Sequence, residues 1–287
     1  MEEKLKVALC AIVKNENLYI REWLEYYKKL GISKIFLYDN NEINGERLED
    51  VIGDYISSSF VDVIDRRGKE KGLVYFGNIN LQPLTYIDCY EDRLSDFDWV
   101  CFFDIDEFLE FRNGFDMFSF LQQSIFDDCG TILVGHETYG DNDLVTYDSR
   151  PVVERFTKLS NAWKDECFVK SIVRTKEIVD GENLLHFIHC FRLKDKKVCF
   201  DDGTECLCKK WHMPIMSEGS TSGNIVLKHY KTKTIEEYFK RHLGRTWGIY
   251  PFQELLTFDK CKERFFSDND VTQEKLDYLE KLKNSLK

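Results

Sequence analysis

The chain has 287 residues, a formal net charge of −11, and is 43% hydrophobic and 14% aromatic. Such a composition builds one large core or two small ones, and its acidity sets aside generic binding to nucleic acid or anionic lipid. With 4 prolines and no low-complexity run, long linkers are not expected.

Leu5 to Val13 reads as a first buried strand, closed by the polar stretch Lys14-Asn15-Glu16-Asn17. Ile20, Trp23, Leu24 and Tyr27 follow at i, i+3, i+4 and i+7, an amphipathic helix that Gly31 ends as C-cap. Ile35 to Tyr38 is a second strand, closed by Asp39-Asn40-Asn41-Glu42. Strand, helix, strand with polar residues at each strand's carboxyl end is the opening of a nucleotide-binding half-sheet. The glycines of GxGxxG and GxxxxGK[ST] are missing, so neither the dinucleotide nor the P-loop reading holds. A helix over Leu48–Tyr55, a strand near Val61–Ile64 and a helix over Pro83–Leu94 lead to the stretch Asp98–Leu109.

That stretch carries the chemistry. Val100 to Phe103 is a short apolar run, as in a strand buried on both faces. It stops at Asp104, skips Ile105 and gives Asp106 and Glu107. On an extended backbone Asp104 and Asp106 face the same way, about 6.5–7 Å apart. Converging carboxylates at a strand's end suit a hard divalent cation. The plainer alternative is a helix start, where acids complement the dipole, and Glu107 fits either reading.

Beyond it, Phe115 to Phe126 reads as a helix, Thr131 to Val134 as a strand, and His136 to Asp143 as a loop. Val152–Phe156 and Phe168–Val173 are strand-like, with Lys170 and Arg174 on one face of the second. Residues 180–222 show no sustained period. Cys199, Cys206, Cys208 and His212 are poorly spaced for zinc, and none of the 10 cysteines forms a CxxC pair. Reduced, buried cysteines in a cytosolic protein are expected. Ile225 to Tyr230 is a strand carrying His229, and Thr234 with Glu237 is a capping box for a helix to about Leu243. Asp270 and Gln273 open a last helix with Leu276, Leu279, Leu282 and Leu286 roughly on one face. The opening Met1–Lys6 is too charged and short for a signal peptide, and no stretch of about 18 apolar residues marks a membrane span.

Several separated motifs match one family: Val13-Lys14-Asn15-Glu16, Glu22-Trp23-Leu24, Tyr38-Asp39-Asn40, Asp98-Trp99-Val100 with Asp104-Ile105-Asp106-Glu107-Phe108, Pro151 to Phe156, Lys170 to Arg174, His229-Tyr230 and Lys233-Thr234. The chain resembles glycosyltransferase family 92 and bacterial family 2-like relatives over about residues 5 to 245. It departs from them at Gly244-Arg245, where the family's order is arginine then glycine.

The resemblance implies an α/β protein of the GT-A nucleotide-diphospho-sugar transferase type. Residues 1–232 would be a single mixed-sheet domain and 233–287 a C-terminal helical extension. It implies Mn2+ or Mg2+ held by Asp104, Asp106 and His229, with Asp104 leaning to the donor ribose. It places Asn15, Glu16 and Asp39 around the nucleotide. Lys170 and Arg174 would share the diphosphate charge, since a leaving diphosphate needs cations around it. An inverting transfer needs a base for the acceptor hydroxyl; Asp141 is the first choice and Glu137 the second. The implied partners are a nucleotide-sugar donor, a UDP-sugar foremost, and a glycan or lipid-linked glycan acceptor in surface polysaccharide or glycoconjugate synthesis. The expected place is the cytoplasm, with peripheral membrane association compatible. The alternatives are a sugar-phosphate nucleotidyltransferase and a non-catalytic sugar-binding relative.

Overall fold

The computed structural model describes residues 5–68, 73–75, 78–162, 169–179, 185–187, 190–206, 223–247 and 254–286. Among them, nine strands form one sheet. These are β1 (Val7–Val13), β2 (Lys34–Asp39), β3 (Val61–Asp65), β4 (Trp99–Phe102), β5 (Glu107–Phe111), β6 (Cys129–Thr138), β7 (Val169–Arg174), β8 (Lys197–Phe200) and β9 (Ile225–His229). Their order is β3-β2-β1-β4-β7-β6-β9-β5, with β8 also paired to β6. β1 is parallel to β2 and β4, β2 is parallel to β3, and β7 runs antiparallel to both β4 and β6. The sheet is therefore mixed, as expected of an α/β protein.

The opening folds as its periodicity requires. Helix α1 (Ile20–Leu30) buries Ile20, Trp23, Leu24 and Tyr27 and ends at Gly31, whose φ of 100° is left-handed. Alternation along the strands separates two buried faces. Ala8, Cys10, Phe36, Tyr38, Val100 and Phe102 pack with Tyr86 and Cys89 of α3 (Leu81–Arg93). Val7, Leu9, Ala11, Ile35 and Leu37 lie on the opposite face and are buried too. Short α2 is Glu49–Ser57, and α4 is Met117–Leu121. The helix expected over Phe115–Phe126 is cut to α4 plus a 3-10 turn over Ser124–Phe126, because Asp116 and Ser119 cap each other reciprocally at its start.

By compactness the chain divides into two units. One comprises Met1–Tyr75, Ile79–His136 and Cys167–Leu227; the other comprises Phe76–Asn78, Glu137–Glu166 and Lys228–Lys287. The expected division at 232/233 and the observed one share the C-terminal helices but not 137–166. Inside the second unit that segment is tied to those helices by buried polar groups. Arg155 forks onto both carboxylate oxygens of Glu237 at 2.9 and 3.1 Å. Glu237 also closes the capping box of α6 (Ile235–His242) with Thr234. The pairing explains one correction: Val152–Phe156, with its two valines, is not a strand but helix α5 (Val152–Arg155). Pro151 starts the turn, accepting from the Glu154 and Arg155 amides, and the tertiary ion pair outweighs β propensity. Helix α7 (Phe258–Asp268) had no counterpart in the sequence reading; α8 (Gln273–Ser285) did. A small core of Ile235, Phe239, Leu256, Cys261, Phe265 and Leu279 holds the three C-terminal helices together.

The cysteines need a second correction. Cys129 of β6 and Cys199 of β8 form a disulfide, so not all are reduced thiols. It fastens an edge strand whose following residue, Asp201, accepts from the Asn224 and Ile225 amides at the start of β9. Cys10, Cys89, Cys101 and Cys261 are buried thiols. Cys208, His189 and His212 lie outside the described residues. Replacing both disulfide partners by serine, or adding reductant, is expected to lower stability by about 2–4 kcal/mol. Thermal unfolding with and without reductant checks this; an unchanged midpoint would show that the bridge does not hold in solution.

Candidate functional site

The parallel strands β1, β2 and β4 end at one edge, since Val13 pairs with Asp39 and Cys10 with Phe102. In open α/β sheets that edge takes the ligand. Two polar groups lie along it.

The first follows β1 and β2. Asn15 has a φ of 56°, a left-handed backbone tolerated by asparagine. Its amide donates to the Asn41 side chain at 2.7 Å. Asn41 in turn donates its own amide to Asp39 Oδ1 at 2.9 Å. Glu16 is buried and its carbonyl accepts the first amides of α1, from Tyr19 and Ile20. Asp39 is also buried, and burial raises its pKa against the pull of the Asn41 hydrogen bond and of Arg67, whose Nε stands 3.6 Å away. Asn15, Glu16 and Asp39 thus sit at one strand edge, with Asn41 joining the two loops.

The second group follows β4. The segment after Phe102 is not extended: the Glu107 amide donates to the Asp104 carbonyl, closing a four-residue turn with Ile105 and Asp106 at its tip. The assumption that made Asp104 and Asp106 converge therefore fails. The turn instead brings Asp104 and Glu107 together, with the Asp104 amide donating to Glu107 Oε2 at 2.7 Å. Glu107 is fully buried and opens β5. Its carbonyl accepts from the Trp23 indole at 2.9 Å and the Tyr27 hydroxyl at 3.0 Å, so α1 fixes its backbone.

Strand β7 supplies the cation. Its register sets Ser171 opposite Phe102 on one side and Lys170 opposite Val134 on the other. Lys170 Nζ reaches Asp104 Oδ2 at 2.6 Å and Glu107 Oε2 at 3.4 Å. Gln82 donates to the other Asp104 oxygen at 3.2 Å. Burial works to lower the Lys170 pKa, but the charges of Asp104 and Glu107 outweigh it and hold the pKa above the ordinary lysine value. The same register removes Arg174 from the site. It stands opposite Trp99, at the far end of β4. Its guanidinium stacks on Trp99 and donates to the Cys129 and Phe126 carbonyls. Residues four apart on a strand share a face but are about 13 Å apart, so the shared face did not mean a shared site.

Strand β6 brings a residue to which the sequence reading gave no role. His136 lies two residues beyond Val134, hence on the same face as Lys170. Its Nε2 is 3.3 Å from Glu107 Oε1. His229 is the last residue of β9, which stands between β6 and β5 in the sheet. Within the first compact unit, Glu107 and His136 each turn one ligand atom toward the other. His229, expected beside Asp104 and Asp106, closes β9 and belongs to the second unit. Asp106 is buried at the turn tip.

The two carboxylates weighed as bases are placed by their own surroundings. Alternation along β6 turns Glu137 to the face opposite His136, where the Tyr139 hydroxyl donates to it at 3.3 Å. Asp141 is buried and bound by Lys275 Nζ at 2.6 Å, with its backbone amide donating to Asn269. Gly140 permits that approach, since a Cβ there would meet the Asn269 oxygen at 2.9 Å. Lys275 is itself fully buried and also reaches Asp143 at 3.1 Å.

The sequence model of glycosyltransferase family 92 matches residues 3–281. The chain belongs to that family. It is 22% identical over 240 residues to the family 92 protein Os08g0121900 of Oryza sativa subsp. japonica, covering 83% of this chain and 35% of that protein. With At1g27200 of Arabidopsis thaliana it shares 25% over 202 residues, 67% of this chain and 32% of that one. The chain thus spans about a third of the length of these relatives. Among solved structures, TarS 1-349 of S. aureus matches with a TM-score of 0.36 and 12% identity, covering 63% of this chain and 51% of the other.

Lys275→Met would leave Asp141 buried without its cation. The expected loss is about 3–5 kcal/mol of stability, measured by urea unfolding. A change below about 1 kcal/mol would show that the cluster is solvated and that Asp141 is available for other work.

Proposed function

We propose that this chain is a metal-dependent glycosyltransferase that moves a sugar from a nucleotide-sugar donor to a glycan acceptor hydroxyl. The observation that carries the reading is the buried Glu107 carboxylate, with His136 on one oxygen and Lys170 and the Asp104 amide on the other. A carboxylate oxygen beside an imidazole nitrogen suits a divalent transition ion, Mn2+ better than Mg2+, whose preferred ligands are all oxygen. Bound there, the ion would supply positive charge to the departing diphosphate.

The chain's own residues do the rest. Asn15, Glu16 and Asp39 hold the nucleoside at the edge of β1 and β2. Lys170 keeps a permanent positive charge at the end of β4, where the diphosphate charge develops. Asp104, fixed by Gln82 and Lys170, offers its carboxylate to the ribose, and Asp106 at the turn tip stays a contact for the donor. Asp141, held by Lys275, and Glu137, beside the Tyr139 hydroxyl, are the bases weighed for the acceptor's proton. A mixed α/β sheet is compatible with the GT-A type that the resemblance implies. A UDP-sugar donor and a lipid-linked or surface glycan acceptor remain the substrate classes of this reading.

Among the described residues no helix is long and apolar enough to cross a membrane. The expected cytoplasmic location meets one structural fact against it: the Cys129–Cys199 disulfide, a bond that persists in oxidising surroundings. We therefore favour an oxidising compartment.

A thermal-shift screen of nucleotide sugars with Mn2+ tests the donor, followed by donor hydrolysis. His136→Ala and Glu107→Gln should each weaken Mn2+ binding at least as much as the loss of a supporting residue does, about 10–100-fold, and hydrolysis with it. Full hydrolysis in both variants would remove the metal from the reading. Pyrophosphate release from a sugar phosphate and nucleoside triphosphate would favour the nucleotidyltransferase.

A further inference from the structure

Within the first compact unit, Asp104 is held from two directions. Lys170 Nζ donates to its Oδ2 at 2.6 Å, and Gln82 Nε2 donates to its Oδ1 at 3.2 Å. The two partners do different work. A lysine ammonium is a compact charge with rotatable donors, so it attracts the carboxylate without fixing its plane. A second donor on the other oxygen does fix the plane, because both oxygens must then be met at once. Gln82 is that donor, and the sequence reading, which began the helix at Pro83, gave it no role.

Gln82 is itself braced. It is the second residue of α3, and its amide also donates to the Tyr86 hydroxyl at 2.7 Å, one turn along the helix. The Tyr86 ring has no exposure and lies 4.5 Å from the ring of Phe102, the last residue of β4. The brace therefore closes on the strand that leads into Asp104. Unlike Lys170 and Glu107, Asp104 is open to a ligand, with its side chain 35% exposed. An ionised carboxylate accepts at about four sites, two on each oxygen. Gln82 and Lys170 take one on each, so each Asp104 oxygen keeps a site for an incoming donor. Two adjacent acceptors held in one plane match two adjacent hydroxyls.

We infer that Gln82 is a positioning residue: by fixing the plane of the Asp104 carboxylate it presents both oxygens to a vicinal diol, the 2′- and 3′-hydroxyls of the donor ribose. This rests on the ribose role proposed above for Asp104. Gln82 touches no substrate and acts only through Asp104. Hydrogen bonds to an ionised acceptor are the strong class, and they weaken steeply with angle. A carboxylate free to turn about its own bond would keep its pair with Lys170 and still accept one hydroxyl, but not two. The signature of the role is therefore a lost preference for ribose over 2′-deoxyribose, distinct from a general loss of affinity.

Isothermal titration calorimetry tests the inference on wild type, Gln82→Leu and Asp104→Asn, with MnCl2 present throughout. The probes are the uridine, guanosine, adenosine and cytidine 5′-diphosphates and their 2′-deoxy counterparts. For whichever base binds, wild type should take the ribose form about tenfold or more tightly than the deoxy form. Gln82→Leu should shrink that preference to about threefold or less, and Asp104→Asn should shrink it too. A Gln82→Leu protein that weakens both sugars equally, or neither, keeps the wild-type preference. Its glutamine is then merely structural, and the inference is overturned while the nucleotide-sugar reading stands. A wild type that binds the diphosphates without telling the two sugars apart overturns it as well. If Asp104→Asn keeps the wild-type preference, the diol is read elsewhere and the inference falls with the ribose role. If wild type binds none of the eight diphosphates, the nucleotide-sugar reading falls and the inference with it. Should Gln82→Leu fold poorly, Tyr86→Phe loosens Gln82 while keeping the ring that packs on Phe102. A reduced preference in Tyr86→Phe then supports the inference, and an unchanged one overturns it.

Discussion

A carboxylate with no exposure to water is the constraint on which this site depends. Glu107 is fully buried, and an isolated charge there is prohibitive. It is tolerable only if every neighbouring strand delivers its part. The β4–β5 turn delivers the Asp104 amide, β7 delivers Lys170, and β6 delivers His136. Helix α1 holds the backbone beneath it through Trp23 and Tyr27. A one-residue slip of β7 against β6 would turn Lys170 to the other face and leave the charge without its cation. The register of the sheet and the chemistry of the site are therefore one requirement.

The same constraint shows which parts were legible in the sequence. The strand–helix–strand opening was, because Ile20, Trp23, Leu24 and Tyr27 repeat at helical spacing and Gly31 must take a left-handed φ. Apolar runs closed by polar residues marked β1, β2 and β4. The roles of individual acids after β4 were not legible, since they depend on whether four residues run extended or turn. Spacing of two favoured Asp104 with Asp106, and the observed turn favours Asp104 with Glu107. His136 had a usable signal. It closes the apolar run of β6 just as Asp104 closes that of β4, and the rule that singled out the one applies to the other. A lone histidine simply carries less weight than a row of carboxylates.

Where the sequence reading erred, the cause was long-range pairing. Val152 and Val153 favour a strand locally, but Arg155 must reach Glu237, 82 residues away. Lys170 and Arg174 share a face, but only antiparallel pairing with β4 shows that they lie at opposite ends of it. Asp141 is an acid in a loop until α8 places Lys275 against it. None of these partners is visible from a window of one element. The disulfide is the same case, since its two cysteines are 70 residues apart and neither lies in a cysteine motif.

The charges around Glu107 also bear on how a donor would be received. Asp104 and Glu107 bring two negative charges and Lys170 one positive, so the group is acidic before any ion arrives. An acidic group repels a diphosphate, and a divalent cation reverses the sign. Under the proposed reading, a donor would be attracted only with the metal in place. The basic residue could not have done this alone. A second lysine in place of the metal would have to be buried as well, at the cost of another desolvated charge. Lys170 moderates the acidity enough for Glu107 to stay buried, yet leaves one unit of negative charge that the proposed ion would offset. That balance would tie the stability of this sheet edge to the chemistry proposed for it.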